Sequence, residues 1–476
     1  GYYEFYSRAF NNSGGGWEAL TGTADAICGY DNAAPTSSTN AISPYWQNTS
    51  PLTITASASD TGYSGLASVE LWYRYSTDNS TWGGWTLFGA DNATPWSWSF
   101  TFPNGTGYYQ FYSRARDNAM NYEAASGIAD ALCGYDNAAP TSSLNIISPY
   151  WQTASPLTIT GTASDTGYSG LASVELWYYN STNNSTWTGP WLFGTDSDPW
   201  VVISWNFNFP NSTGYYRFYT KARDNATNYE AAPVSNDTLC GYDNAAPASS
   251  VNAIWPYWHN STITITATGS DATSGLRNVT LYYYNSTDNS TFYGPWEFGM
   301  DIDPWAGISW DFNFPKGKGY YRFYSIARDN ATNVETFTVN DTGCAYDTTS
   351  PTVIAVSPAP GATNVVITTT ITKTFSEAMN QTSVEANFKV YKGGAPSPGT
   401  LVEGIYSWSG NQCTFTPNSS LSPNTKYWSN VTTGAKDLAG NPLETANNTW
   451  FTTAAGVGVT VNSPNGAESW KGNANY

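Results

Sequence analysis

Histidine occurs once in the 476 residues, at position 259, and methionine three times. A serine–histidine nucleophilic system or a histidine-built metal site needs imidazole, so neither chemistry has its raw material here. Charged residues make up only 11% of the chain, and acidic residues outnumber basic ones 36 to 18. That sign excludes the basic stripe of a nucleic-acid-binding surface. No apolar run approaches the ~20 residues of a membrane span, and no signal peptide opens the chain. The long Ala/Leu/Glu/Lys stretches that helices require are nearly absent.

What is abundant are Thr, Ser, Asn, Gly, Tyr and Trp, with 42 Gly, 35 Tyr and 22 Trp. β-Branched and aromatic residues favour strands, and Asn, Gly, Pro and Ser punctuate them with turns. The composition reads as all-β.

Self-similarity recurs with a period of roughly 105 residues, about the length of one sandwich domain. Tyr-Asp-Asn-Ala-Ala-Pro begins at Tyr30, Tyr135 and Tyr242, and a degraded copy, Tyr-Asp-Thr-Thr-Ser-Pro, begins at Tyr346. Pro-Tyr-Trp follows at Pro44, Pro149 and Pro256, and Gly-Tyr-Tyr-x-Phe-Tyr stands at Gly1, Gly107, Gly214 and Gly319. Within one repeat, Leu52, Ile54, Ala56 and Ala58 alternate with Thr and Ser, which predicts a half-buried strand. Val69–Tyr73, Trp85–Phe88, Trp96–Phe102, Tyr109–Ala115 and a strand ending at Cys133 follow, and an opening strand is expected near Ile42. About seven strands is the count of an immunoglobulin or fibronectin-type sandwich. The linkers are short and carry Pro35, Pro140, Pro247 and Pro351, which stiffen the chain, so tandem β-sandwich domains arranged as beads on a string are expected.

The divisions expected are 1–30, the C-terminal part of a repeat; 31–135, 136–241 and 242–346, three repeats; 347–455, a domain of another type; and 456–476, the first strands of a further β-domain. Two strands alone cannot bury a core. The expectation is therefore covalent continuation into neighbouring β-domains, with end-to-end self-association by strand donation as the alternative. Cys28, Cys133, Cys240 and Cys344 recur once per repeat, too far apart along an extended chain to bridge one another. Buried free thiols are expected for them, with bridges between chains, or from Cys344 to Cys413, as alternatives.

The repeats resemble the Ig-like modules of large bacterial and archaeal surface proteins. Ala58–Tyr73 and Phe111–Asn121 carry that resemblance, although Ala119-Met120-Asn121 departs from the usual Ala-Gly-Asn. Residues 347–453 resemble the Ig-like domain associated with surface-layer proteins, through Ser357–Val365, Thr374–Met379, Pro423–Tyr427 and Gly434–Pro442. Ser463–Trp470 is similar to the opening strand of yet another secreted β-module. These resemblances imply a secreted, modular, surface-attached protein and name no enzyme.

About twenty Asn-x-Ser/Thr acceptors occur, a motif of surface loops in secreted proteins. Asn79, Asn184 and Asn289 occupy one predicted hairpin turn in three repeats; Asn180 and Asn285 precede it. Asn104 and Asn211 precede the penultimate strand, and Asn225 and Asn330 follow it. N-linked glycans are expected on several of them, against the plainer reading that Asn populates turns. Asp60, Asp165 and Asp271 recur, as do Asp117, Asp224 and Asp329, and the junction set Asp31, Asp136, Asp243 and Asp347. Turn formation is the expected role of the recurring aspartates, with calcium as the alternative, Asp60, Asp165 and Asp271 being its candidate ligands. Glycosidases need only two carboxylates, but Glu70 and Glu175 give way to Thr280 in the third repeat. Glu123, Glu230 and Glu335 recur throughout, which suits a structural contact. No catalytic residue and no resident cofactor are expected. The function expected is a glycosylated structural component of an extracellular or cell-surface fibre, serving adhesion or community scaffolding. The alternative, suggested by the aromatic load, is a carbohydrate-binding or spacer region of a secreted modular enzyme that grips surface polysaccharide.

Overall fold

A computed structural model describes residues 1–20, 22–394 and 399–456. The segment 457–476, where a further β-domain was expected to open, lies outside the described residues. The chain divides into two compact units, Gly1–Asn244 and Ala245–Tyr476. The first holds two two-stranded sheets (Tyr2–Phe5 with Ala26–Gly29, and Phe10–Asn11 with Gly16–Trp17) and two repeats; the second holds one repeat and the different C-terminal domain.

The second repeat shows the plan. Its strands are β1 (Thr141–Leu144), β2 (Trp151–Gln152), β3 (Leu157–Ser164), β4 (Leu171–Ser181), β5 (Thr188–Asp196), β6 (Ile203–Phe207), β7 (Gly214–Asp224) and β8 (Thr238–Tyr242). One sheet has the order β1-β3-β6 and the other β2-β8-β7-β4-β5. All pairs are antiparallel except β2 with β8. The other two repeats have the same topology, and the fold is a series of tandem Ig-like β-sandwiches. The opening strand differs from expectation. Ile42 itself lies between two strands, Thr36–Thr39 and Trp46–Gln47, and packs its side chain on the core.

Period-2 alternation builds the core. Ile203, Trp205 and Phe207 of β6 point inward while Ser204 and Asn206 face out. Phe207 is fully buried, with ring centroids of Phe193, Phe218, Tyr178 and Phe209 at 4.7, 4.9, 5.1 and 5.2 Å. Burial of one such ring is worth about 1.5–3 kcal/mol. Phe209 holds a left-handed φ of 47° and lays its ring on Tyr242 at 4.0 Å. Phe102 on Tyr135 and Phe314 on Tyr346 repeat that stack at 4.0 Å. Tyr135, Tyr242 and Tyr346 are thus pinned to the ends of their sandwiches, and the next residue enters the junction from a fixed point, whereas Tyr30 of the first motif is exposed.

The recurring glutamates are structural ties between the two sheets. Glu230 accepts from the amides of Ser142 and Ala222 at 2.8 and 2.9 Å. Glu123 and Glu335 do the same for Ser37 with Ala115 and Ser249 with Ala327. A Trp-over-Gly contact accounts for two more motif positions. A Cβ on Gly241 would lie 2.3 Å from the Trp151 ring, so β2 closes on β8 only over glycine. The third repeat has Ala345 there, and the Tyr257–Trp258 ring separation opens to 6.0 Å from the 5.4 Å of Tyr150–Trp151.

The C-terminal domain packs two four-stranded sheets and one short helix, Gln381–Asn387, capped by the Asn380 side chain accepting from the Ser383 amide at 3.1 Å. Its core contains a fully buried lysine. Lys373 Nζ donates to Asn447 Oδ1 at 2.5 Å, Thr449 Oγ1 at 3.0 Å and the Ser429 carbonyl at 3.4 Å, and burial pushes its ammonium down to about 7.

Candidate functional site at the domain junctions

Where one sandwich hands over to the next, three loops of acidic sequence meet. In the second repeat these are the linker residue Asp136, Asp165 in the turn after β3, and Asp224 at the end of β7. A carboxylate oxygen from each lies within 4.8 Å of the other two. Asp31, Asp60 and Asp117 form the same cluster at the first repeat, and Asp347, Glu377 and Asp437 form it in the C-terminal domain. In the third repeat Asp271 and Asp329 stand within that same distance. Each carboxylate is held by its own loop. Asp136 accepts from the amides of Ala138 and Ser169 at 3.0 and 2.9 Å, and Asp165 from those of Gly167 and Gly170, both at 2.9 Å. Asp224 accepts from the amide and side chain of Asn228, both at 2.7 Å. Glycine is required beside the linker carboxylate, because a Cβ on Gly167 would lie 2.0 Å from Asp136 Oδ2.

The linker aspartate belongs to both neighbours. Asp136 donates its backbone N–H to the carbonyl of Gln47 in the first repeat at 2.9 Å, while its side chain sits in the second. Tyr108 and Tyr168 meet edge to face across this junction at 5.9 Å, and Asn48 Nδ2 donates to Thr227 Oγ1 at 3.1 Å. In the second unit Asp347 bonds the His259 carbonyl at 2.9 Å, and Asn260 Nδ2 reaches Asn441 Oδ1 at 3.2 Å.

The electrostatics differ with depth. At the first repeat, the amides of Ser64 and Ala33 hold Asp31 down to about 2. There the Asn121 bonds outweigh desolvation and lower Asp117. In the second repeat burial wins, and it raises Asp224 with the help of the Asp136 and Asp165 charges. Burial, then Asp347 and Asp437, push Glu377 up to about 7.

The structure brings the calcium candidates Asp60 and Asp165 together with the other recurring aspartates, and places Asp271 beside Asp329. Sequence reading missed Glu377 and Asp437. For Asp437 the signal was available, because Asp437-x-x-x-Asn441 shares the spacing of Asp117 with Asn121 and Asp224 with Asn228.

The glycan candidates fall into distinct settings. Asn79, Asn184 and Asn289 sit exposed at hairpin tips with left-handed φ of 56°, 56° and 57°. Asn104 and Asn211 are exposed in turns, and Asn180 and Asn285 are half-buried on strands. Asn225 Nδ2 instead donates to the carbonyls of Ser169, Gly170 and Leu171, and Asn330 Nδ2 does the same to Ser274, Gly275 and Leu276. Asn118 makes identical bonds to Ser64, Gly65 and Leu66, although Asn118-Ala119-Met120 is no acceptor. The bonding, not the acceptor motif, explains asparagine at that position.

Many rings outside the core pack on one another. Trp72 stacks with Tyr112 at 6.0 Å, Trp85 meets Tyr112 at 4.6 Å, and the Arg74 guanidinium covers Trp85 at 4.6 Å. Cys133, Cys240, Cys344 and Cys413 are buried free thiols, whereas Cys28, on the strand Ala26–Gly29, is exposed.

Tandem Ig-like β-sandwiches with acidic, interlocked junctions define the class of this chain. Residues 347–453 match the family model described as bacterial Ig-like domain. No curated protein matches the chain. Among solved structures, a tetra-tandem repeat from the extending region of a large adhesion protein is 15% identical, with 89% of this chain and 100% of that one covered and a TM-score of 0.31. The N-terminal part of the bacterial S-layer protein SbsC is 22% identical over 22% of this chain and 24% of its own, with a TM-score of 0.18. Extracellular cadherin domains 3–6 of protocadherin gamma B2 are 11% identical over 87% and 97%, with a TM-score of 0.27.

Proposed function

We propose that this chain forms the structural repeats of an extracellular or cell-surface fibre, glycosylated at its hairpin tips and serving adhesion or scaffolding, with no catalytic role. The observation that carries the reading is the linker aspartate. Asp136 is bonded by its backbone to one sandwich and by its side chain to the next, so the joint resists bending and twisting. Enzymes place chemistry in one concave site, whereas here the same acidic joint recurs along the chain and its carboxylates are tied into loop backbone. A polysaccharide-gripping strip would present rings flat to solvent; Trp72, Tyr112 and Trp85 spend their faces and edges on one another. Sugars at Asn79, Asn184 and Asn289 would project from the turns without displacing any bond noted above.

Native material tests the proposal. Surface proteolysis of intact cells should release peptides of this chain, and glycopeptide mass spectrometry should find sugar on the hairpin-tip asparagines. Recovery only from the cell interior, with bare asparagines, would overturn it.

A further inference from the structure

The acidic clusters hold more negative charge than their own surroundings balance. Asp136 and Asp224 are 0% exposed, yet they share 4.8 Å of space with Asp165. Among the described residues, no Lys or Arg nitrogen comes within 4.0 Å of the six carboxylates of the first two clusters. Backbone amides fix each carboxylate but bring no net charge, so the mutual repulsion stands. Loop closure alone would not need three acids in one place, since asparagine can make the same Asx turns.

A second observation points to what the cluster faces. Ser169 is 8% exposed and its Oγ has no hydrogen-bond partner, while its own amide bonds Asp136 Oδ2 at 2.9 Å. The equivalent Ser64 places its hydroxyl beside both Asp31 and Asp117 and is likewise without a bond of good geometry. A buried hydroxyl without a partner is costly, and the Ser169 oxygen is free to join the carboxylates around a positive ion. The arrangement also survives a change of module. Asp347, Glu377 and Asp437 line a cavity of about 220 Å³ together with Trp258 and Tyr320, in a domain whose strands differ from those of the repeats.

We propose that these junctions are divalent-cation sites suited to calcium, in which the linker aspartate and two loop carboxylates of the following domain share one ion. The donors are all oxygen, with neither imidazole nor thiolate, which disfavours zinc and copper. Carboxylates on three separate loops, with a hydroxyl beside them, suit the larger ion with its adaptable shell better than the strict octahedron of magnesium. The ion would tie the linker to both loops, so the fixed geometry of the joint depends on it.

The test uses the full chain, stripped with a chelator and titrated with calcium chloride alone by calorimetry in 0.15 M salt, with magnesium chloride in parallel. Terbium, excited through tryptophan, reports on the C-terminal cluster through Trp258, which lines its cavity, and on the second-repeat cluster through Trp46, which packs on Tyr108 beside the Asp136 junction. The expected result is at least three calcium ions per chain, bound at least tenfold more tightly than magnesium. Asp165→Asn and Glu377→Gln should each remove one equivalent along with part of the terbium emission, both with unchanged circular dichroism. If Asp165→Asn unfolds its repeat, Glu377→Gln in the other domain decides. Absence of calcium binding, equal affinity for magnesium, or undiminished stoichiometry in the folded variants would overturn the proposal.

Discussion

Asn228 lies ninety-two residues beyond Asp136 in the chain, yet its Nδ2 donates to the Asp136 main-chain carbonyl at 2.8 Å. The same amide group holds the Asp224 carboxylate at 2.7 Å, so one side chain ties the linker to the end of β7. Asn121 with Asp31 and Asn441 with Asp347 repeat the relationship at 3.0 and 2.9 Å. Asn228→Ala should therefore destabilise the second repeat by about 1–3 kcal/mol, the cost of leaving buried polar partners unpaired. Urea unfolding checks it. A change within about 0.5 kcal/mol, the range of an ordinary surface substitution, would contradict the role.

The aromatic core gives a sharper expectation. Phe207 is ringed by five aromatic side chains, and its truncation leaves a hole that rigid rings refill poorly. Phe207→Ala should cost about 3–5 kcal/mol. Hydrogen exchange resolved by peptide should show the loss across 141–242, with the C-terminal domain unchanged.

Lys373 makes the C-terminal domain pH-sensitive. Burial lowers its folded value to about 7, below the ordinary lysine value of 10.5. Between those limits the unfolded chain holds a proton that the folded one has released, so stability rises as pH rises through this window. From pH 7 to pH 9 the gain should be on the order of 2 kcal/mol. Lys373→Met should flatten that slope, measured as the difference between variant and parent in urea midpoints at each pH. An unchanged slope would show that the ammonium stays charged on its three acceptors.

Asparagine substitutions should separate sugar from structure. Asn184→Gln should remove a glycan from native material and leave the stability of unglycosylated recombinant protein within about 0.5 kcal/mol. Asn225→Gln should destabilise the recombinant protein as well, because Asn225 Nδ2 closes onto three carbonyls. Equal behaviour of the two variants without sugar would argue against the distinction.

Much of this was legible in the sequence because each signal was local. Alternation in Leu52–Ala58 exposed the strand, and the Tyr-Asp and Pro-Tyr-Trp motifs exposed the repeat. The short strand Trp46–Gln47 escaped because two residues have no period, and its parallel pairing to Gly134 and Tyr135 depends on a partner far along the chain. The acidic cluster was half visible. Recurrence marked Asp60, Asp117 and Asp31 separately, but only the folded loops show that they converge. Glu377 stood outside any repeat, so nothing drew attention to it.

The buried thiols have a consequence for how such a chain reports on its own history. Cys133, Cys240 and Cys344 are each 0% exposed, and burial pushes all three up to about 12. A thiol in that state does not react with alkylating reagents, since the thiolate is the nucleophile. It becomes reactive only when its own sandwich opens. Because each repeat carries one such residue at the same place, a stretched sample quenched with an alkylating label would keep a tally, domain by domain, of which beads had given way and which had held.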